Sequence, residues 1–175
     1  MQISLHRATV TGRKNPFSMQ FSAPLQPAVL LKRYQRFLAD VQFPDGQRVT
    51  VHCPNTGSML TCSTPGSRVY LSRSNNPARK YPYTLELIEE SGTLIGINTS
   101  RTNGLVQEAI QNGIISELNK PTEIQKEVRT SDGCRLDLAL HCGSSLTYVE
   151  IKSCTFVENG IAMFPDAVTT RGHKH

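Results

Sequence analysis

The chain has 175 residues, with 19 Lys plus Arg against 14 Asp plus Glu and a formal charge of +5. That length holds one ordinary domain or two small ones. An apolar content of 38 % without any Trp builds a modest aliphatic core and excludes a disordered chain, while no stretch approaches the roughly 18 unbroken apolar residues of a membrane helix.

In chain order, residues 1–22 read as an extension, with Met19 as the start of the folded protein. Their first part, MQISLHRATVTGRKNPFS, holds Arg7, Arg13 and Lys14 and no acid. It faintly resembles an organelle transit peptide and lacks the apolar block of a secretory signal. From Ala23 to Thr99 the chain alternates short apolar–polar runs with turn residues. Segment 29–43, VLLKRYQRFLADVQF, suits strands, although its Leu, Lys and Arg also suit a helix. Pro44-Asp45-Gly46 predicts a turn. Arg48–Cys53 and Arg68–Ser72 predict half-buried strands. Leu85–Glu90 and Leu94–Asn98 around Ser91-Gly92 predict a hairpin. Five short strands over residues 23–99 suggest a small barrel, for which an oligonucleotide-binding (OB) barrel is one solution.

Beyond Thr99 the pattern changes. Asn103–Asn112 carries Leu105, Val106, Ala109 and Ile110 at amphipathic helix spacing, with Gly113 as its stop. Strands are predicted at Ile124–Thr130, Cys134–Leu140 and Thr147–Cys154, and a further helix starts at Asp166. Residues 100–175 therefore read as a second unit of α/β or α+β type. Residues 1–99 carry 11 basic and 5 acidic side chains and residues 100–175 carry 8 and 9, so the basic excess belongs to the first half. Such an excess permits contact with nucleic acid without requiring it.

The cysteines number five, an odd count, and no pair has C-x-x-C spacing. Reduced thiols in a cytoplasmic protein are expected. His52, Cys53 and Cys62 form a zinc set on paper, at looser spacing than zinc sites use. A Cys53–His52 nucleophile is disfavoured because neighbours on a strand point to opposite faces.

The most informative stretch is Arg135-Leu136-Asp137 followed by Val149-Glu150-Ile151-Lys152. A hairpin turning at Gly143-Ser144 sets Leu138 opposite Val149, Leu140 opposite Thr147 and Asp137 opposite Glu150. Directly opposed Cβ atoms lie roughly 4.5–5.5 Å apart, where like charges repel. Three remedies exist: a proton on one carboxyl, screening by Arg135 and Lys152, or a divalent cation. Carboxylates and a carbonyl suit Mg²⁺, with Mn²⁺ as the variant. A one-residue slip in register would move Asp137 to the other face.

Asp, a gap and Glu-x-Lys resembles the signature of the PD-(D/E)xK nucleases. That resemblance makes Asp137, Glu150 and the Ile151 carbonyl metal ligands. It makes Lys152 the group that polarises the phosphate or positions water, and Glu108 the extra helical acid.

More specific are LLKRYQRFLADV (30–41), HCPNTGSM (52–59), RKYPYT (79–84), RLDL (135–138), VEIKSCT (149–155) and FPDAVTTRGHKH (164–175). Together they resemble the sugar fermentation stimulation protein A (SfsA) family from about Met19 onward. The resemblance implies an α+β chain: an OB-like barrel (23–99) followed by a PD-(D/E)xK nuclease-like α/β domain (100–175). Relative to that family the chain has extra residues before Met19 and stops short of the continuation beyond RGHKH. The implied function is DNA binding without sequence preference, linked to regulation of sugar (maltose) use. The alternative is a Mg²⁺-dependent nuclease acting on DNA or RNA.

Candidate phosphate contacts are Lys32, Arg33, Arg36, Arg79 and Lys80. Tyr34, Tyr81 and Tyr83 lie among them and could stack on bases, as in single-strand binders. A third reading makes Asn55, Thr56 and Ser58 of the Gly-bearing loop a sugar or nucleotide sensor; the same residues equally cap a turn. No membrane or protein partner is implied.

Overall fold

The computed structural model describes residues 20–118, 121–131, 133–158 and 161–164. The basic leader and the helix expected from Asp166 lie outside these residues. The described residues divide into two compact units, one of Phe21–Thr99 with those from Ser153 to Phe164, the other chiefly Ser100–Lys152.

The first unit is a closed barrel of β1 (Gln26–Tyr34), β2 (Leu38–Gln42), β3 (Arg48–His52), β4 (Arg68–Arg73) and β5 (Tyr83–Glu90). Antiparallel pairing runs β3-β2-β1-β4-β5, and a parallel bridge between His52 and Thr84 closes the ring. This circuit is that of an OB barrel. β6 (Thr93–Gly96) continues from β5 as a hairpin. Alternation, interrupted in β5 by an irregularity at Glu86 that lets both Leu85 and Ile88 face the core, sends Leu30, Val41, Val51, Val69, Leu71, Leu85 and Ile88 inward, where Ile97, Met59, Cys53 and Cys62 complete the core.

The ambiguous segment 29–43 is a β-hairpin. Its strands gain ladder partners on both sides, which overrides the helical leaning of Leu, Lys and Arg. Gln35 and Arg36 take left-handed φ values of 50° and 63° to reverse the chain. The Pro44-Asp45-Gly46 turn forms with Gly46 at φ 88° and the Asp45 carboxylate accepting the Gln47 N–H at 2.9 Å.

In the second unit a 3-10 turn (Thr99–Arg101) leads into α1 (Thr102–Gln111), followed by β7 (Glu123–Arg129), β8 (Arg135–Cys142) and β9 (Ser145–Val149) in one antiparallel sheet. α1 ends where Gly113 turns left-handed at φ 67°. Ile110 of α1 packs with Leu138 and Leu140, ringed by Val106, Ile115, Leu118, Ile124, Val149 and Ile151. The β8–β9 register is the expected one, Leu138 opposite Val149 and Leu140 opposite Thr147.

Two differences from expectation matter. β9 ends at Val149, so Glu150 and Lys152 lie beyond the strand and not within one running to Cys154. A short hairpin, β10 (Phe156–Glu158) with β11 (Ile161–Met163), follows instead. It is fastened within the first unit by Thr61, whose hydroxyl donates to the Thr155 carbonyl at 2.9 Å and accepts the Val157 N–H at 3.3 Å. Among the described residues no helix is long and apolar enough to cross a membrane.

Candidate functional site

In an OB barrel the outer face of β2 and β3, with the β1–β2 and β4–β5 loops, is the usual ligand surface. Here that face carries Asp40, Thr50 and His52. Its flanking loops are residues 35–37, with exposed Arg36, and residues 74–82, with Arg79, exposed Lys80 and half-buried Tyr81. Lys80 lies 5.4 Å from the Tyr81 ring centroid.

Lys32 pairs with Asp40 at 3.5 Å and sits 5.1 Å from the Tyr34 ring centroid. The Asp40 carboxylate accepts the Thr50 hydroxyl at 2.7 Å and the Tyr34 hydroxyl at 2.9 Å. Desolvation pushes the Asp40 carboxyl up, but these two hydrogen bonds and the Lys32 charge outweigh it and hold it below its ordinary value. Tyr34 is therefore tethered by its hydroxyl. Tyr83 packs edge-on to Phe43, with ring centroids 5.2 Å apart.

Arg79 donates to the Thr84 hydroxyl at 2.8 Å and lies 3.3 Å from His52 Nδ1. Burial lowers the His52 pKa from its ordinary 6.5, and the Arg79 charge lowers it further. As pH falls, the unfolded chain takes up the proton before the folded one does. Stability is complete above about pH 6.5 and is lost as pH falls toward the folded value. Melting temperature is expected to drop between about pH 7 and pH 5, and His52→Gln should flatten that part of the profile in a melting series.

Arg33 is placed differently from the other candidate phosphate contacts. Its guanidinium donates to the carbonyls of Arg36 (2.7 Å), Asn55 (2.8 Å), Gly57 (2.8 Å) and Ser58 (3.2 Å). It fastens the loop after β3 and faces backbone oxygens. In the same loop Asn55 is buried, and its side chain accepts the Gly57 N–H at 2.9 Å. Of the two readings of this loop the structure favours the turn: Asn55 caps it, and Arg33 holds the carbonyls of Asn55, Gly57 and Ser58.

The zinc and Cys–His readings fail as well. Cys53 and Cys62 lie in the barrel core, whereas His52 faces Arg79 on the outside. Burial raises both thiols, Cys62 to about 11, and Cys53 donates to the Met59 sulfur at 3.8 Å.

In the second unit Asp137 sits near the start of β8, one residue past the last β8–β9 ladder pair. Its Oδ2 accepts the Ile151 N–H at 2.7 Å and its Oδ1 the Asn103 side-chain amide at 2.9 Å. A side chain thus takes the place that ladder pairing would have held, which is why β9 stops at Val149. Glu150 forms an ion pair with Lys152, both side chains about a third exposed at 33 % and 38 %. Arg135 turns away to Glu127 across the sheet.

The structure therefore brings Asp137 against Ile151 and Glu150 against Lys152. Charge is balanced by Lys152 and by two N–H donors. Helix α1 contributes Asn103 at this point. Glu108, five residues later, lies about 140° further round a helix of 3.6 residues per turn. Among the described residues no group of three or more His, Cys, Asp or Glu is arranged to hold a metal. Sequence reasoning missed Asn103; its only signal was a polar residue in the first turn of the expected helix.

Comparison with known proteins agrees with this architecture. Residues 31–97 match the SfsA N-terminal OB domain, and residues 100–175 match the sugar fermentation stimulation protein RE domain. A sugar fermentation stimulation protein homolog of Desulfotalea psychrophila is 56 % identical over 157 residues, covering 90 % of this chain and 66 % of the relative. One of Geotalea uraniireducens is 52 % identical and is covered over 68 % of its length, again from 90 % of this chain. The solved structure of Pyrococcus furiosus SfsA in complex with Ca²⁺ superposes with a TM-score of 0.76 at 29 % identity, covering 90 % of this chain and 66 % of that one. The chain thus spans about two thirds of the length of the relatives it matches. Two domain matches in the right order, and half or more of the residues shared with named relatives, show that the chain belongs to the sugar fermentation stimulation protein (SfsA) family.

Proposed function

We propose that the chain binds DNA without sequence preference through its OB unit, in the service of regulating sugar (maltose) use in the cytoplasm. One observation carries this reading. Arg36 on the β1–β2 loop and Arg79, Lys80 and Tyr81 on the β4–β5 loop flank the outer β2–β3 face. The cations would neutralise phosphates, and Tyr81 would stack on a base of a single strand. Five free thiols suit a reducing compartment. The names of the relatives support the link to sugar use.

Phosphate neutralisation makes affinity fall steeply with salt. Lys80→Ala and Arg36→Ala are each expected to weaken binding alike for all sequences and to reduce the salt slope by about 1. Fluorescence anisotropy with labelled single strands, duplexes and RNA across a salt series measures this. Affinity that hardly responds to salt would end the proposal.

A second reading is a Mg²⁺- or Mn²⁺-dependent nuclease at Asp137, Glu150 and Lys152. What favours it is the Asp137–Ile151 bond, which holds one carboxylate oriented just beside Glu150. The Ca²⁺ complex of the Pyrococcus furiosus relative adds support. The donor set fits a hydrated ion, because Mg²⁺ keeps several waters and takes only one or two carboxylates. Each carboxylate oxygen engaged at Asp137 retains a second lone pair. Asp137, Glu150 and the Ile151 carbonyl would hold the ion, which when bound supplies an activated water and charge neutralisation at phosphate. Lys152 would exchange Glu150 for the phosphate and stabilise its developing charge. Glu108 would add a negative charge from α1.

A further inference from the structure

Two hollows adjoin on the barrel and share part of their lining. The first, about 420 Å³, has an apolar floor of Phe43, Tyr83, Pro27 and Pro44 and a polar rim of Gln26, Asp45 and Gln47. The second, about 650 Å³, shares Pro27, Phe43 and Pro44 and extends over Val29 and Tyr70 to Arg68. Among the described residues the side-chain amides of Gln26 and Gln47 and the Tyr83 hydroxyl enter no hydrogen bond. Asp45 spends Oδ1 on the Gln47 N–H and keeps Oδ2.

The chemistry of the rim selects its ligand. Amides both donate and accept, and a carboxylate accepts, which together match hydroxyl groups that do both. No Lys or Arg lines the first hollow. Arg73 lies against the Tyr83 ring, 5.9 Å from its centroid, without lining the hollow. A phosphate would meet the Asp45 charge there without a cation in the lining to offset it. The floor is also not a flat stacking platform, since the Phe43 and Tyr83 rings are inclined at 62°. A puckered ring with C–H faces fills such a wedge better than a planar base.

We propose that the first hollow binds a neutral sugar ring, its hydroxyls on Gln26, Asp45 and Gln47 and its C–H face on Phe43 and Tyr83. The second hollow gives a linked ring room to extend. Arg36, Arg79, Lys80 and Tyr81 do not line the hollow, whereas Tyr83, one of the tyrosines considered for base stacking, does.

The test is an NMR titration of the whole chain with maltose, cellobiose and, separately, adenosine. Millimolar saccharide binding is expected for so open a site, with shifts centred on Phe43, Gln47 and Tyr83. Gln47→Ala, at an exposed turn position, should weaken binding about five- to tenfold, whereas Tyr83→Phe, which keeps the ring face, should change it little. Lys80→Ala should leave it unchanged. Absence of saccharide shifts at these residues up to tens of millimolar would overturn the proposal. Adenosine displacing or outcompeting the saccharides there would overturn it equally.

Discussion

Arg33→Ala is expected to destabilise the barrel unit strongly. The guanidinium donates to four carbonyls on two segments, the β1–β2 loop and the loop after β3. Alanine leaves these oxygens without their donor, and the loop that carries buried Asn55 and Met59 loses its fastening. Hydrogen bonds to a charged group contribute about 1.5–3 kcal/mol each and do not add fully, so a loss of about 3 kcal/mol is expected. In a domain of this size that lowers the melting temperature by about 12–24 °C. Arg33→Lys should rescue little, because an ammonium cannot span four acceptors with a planar fork. Lys32→Ala, which removes a surface pair whose lysine is 65 % exposed, should stay within about 0.5 kcal/mol. Circular dichroism melts measure all three. An Arg33→Ala protein that melts like the parent but no longer binds DNA would reassign this side chain to phosphate contact.

The contrast between Arg33 and its neighbours shows what the sequence can convey. Strand alternation and turn residues made the barrel legible, because burial imposes a period of two on Val49 and Val51 and reversals demand residues such as Gly46. The α1 helix was legible from Leu105, Val106, Ala109 and Ile110 for the same reason. The β8–β9 register was legible because the apolar face of Leu138, Leu140 and Val149 tolerates no slip. The role of Arg33 was not, since its partners are backbone carbonyls, which leave no trace in residue types. Nor was the end of β9: whether a backbone N–H bonds across the ladder or to the Asp137 carboxylate is decided by geometry alone. β10 and β11 are three residues each, too short for any periodic signal. At the acidic site the Asp137, Glu150 and Lys152 positions were readable from spacing, whereas the partners of Asp137, Asn103 and the Ile151 N–H, were not.

Those partners allow the structural and chemical roles of Asp137 to be separated. Asp137→Ala leaves the Ile151 N–H and the Asn103 amide without an acceptor and should cost about 1–3 kcal/mol, so lost activity in that variant would mix two causes. Asp137→Asn keeps one oxygen for the Ile151 N–H. Its new NH₂ group faces Asn103, which can turn its amide to offer oxygen in place of nitrogen. Stability should therefore remain within about 1 kcal/mol of the parent, while the charge that would hold a divalent ion is gone. If the parent binds Mg²⁺ here, saturation at about 100 times Kd stabilises it by about 2.7 kcal/mol, and Asp137→Asn should abolish that response in a melt series. Any metal-dependent cleavage should fall with it by about 10³-fold or more, since metal coordination contributes several kcal/mol to such a step. Lys152→Ala should by contrast keep the Mg²⁺ stabilisation and lose cleavage, because the ammonium acts on the phosphate and not on the ion. If Asp137→Asn responds to Mg²⁺ as the parent does, the carboxylate serves only to tie β8 to α1 and the chain beyond β9, and the nuclease reading falls while DNA binding by the barrel stands.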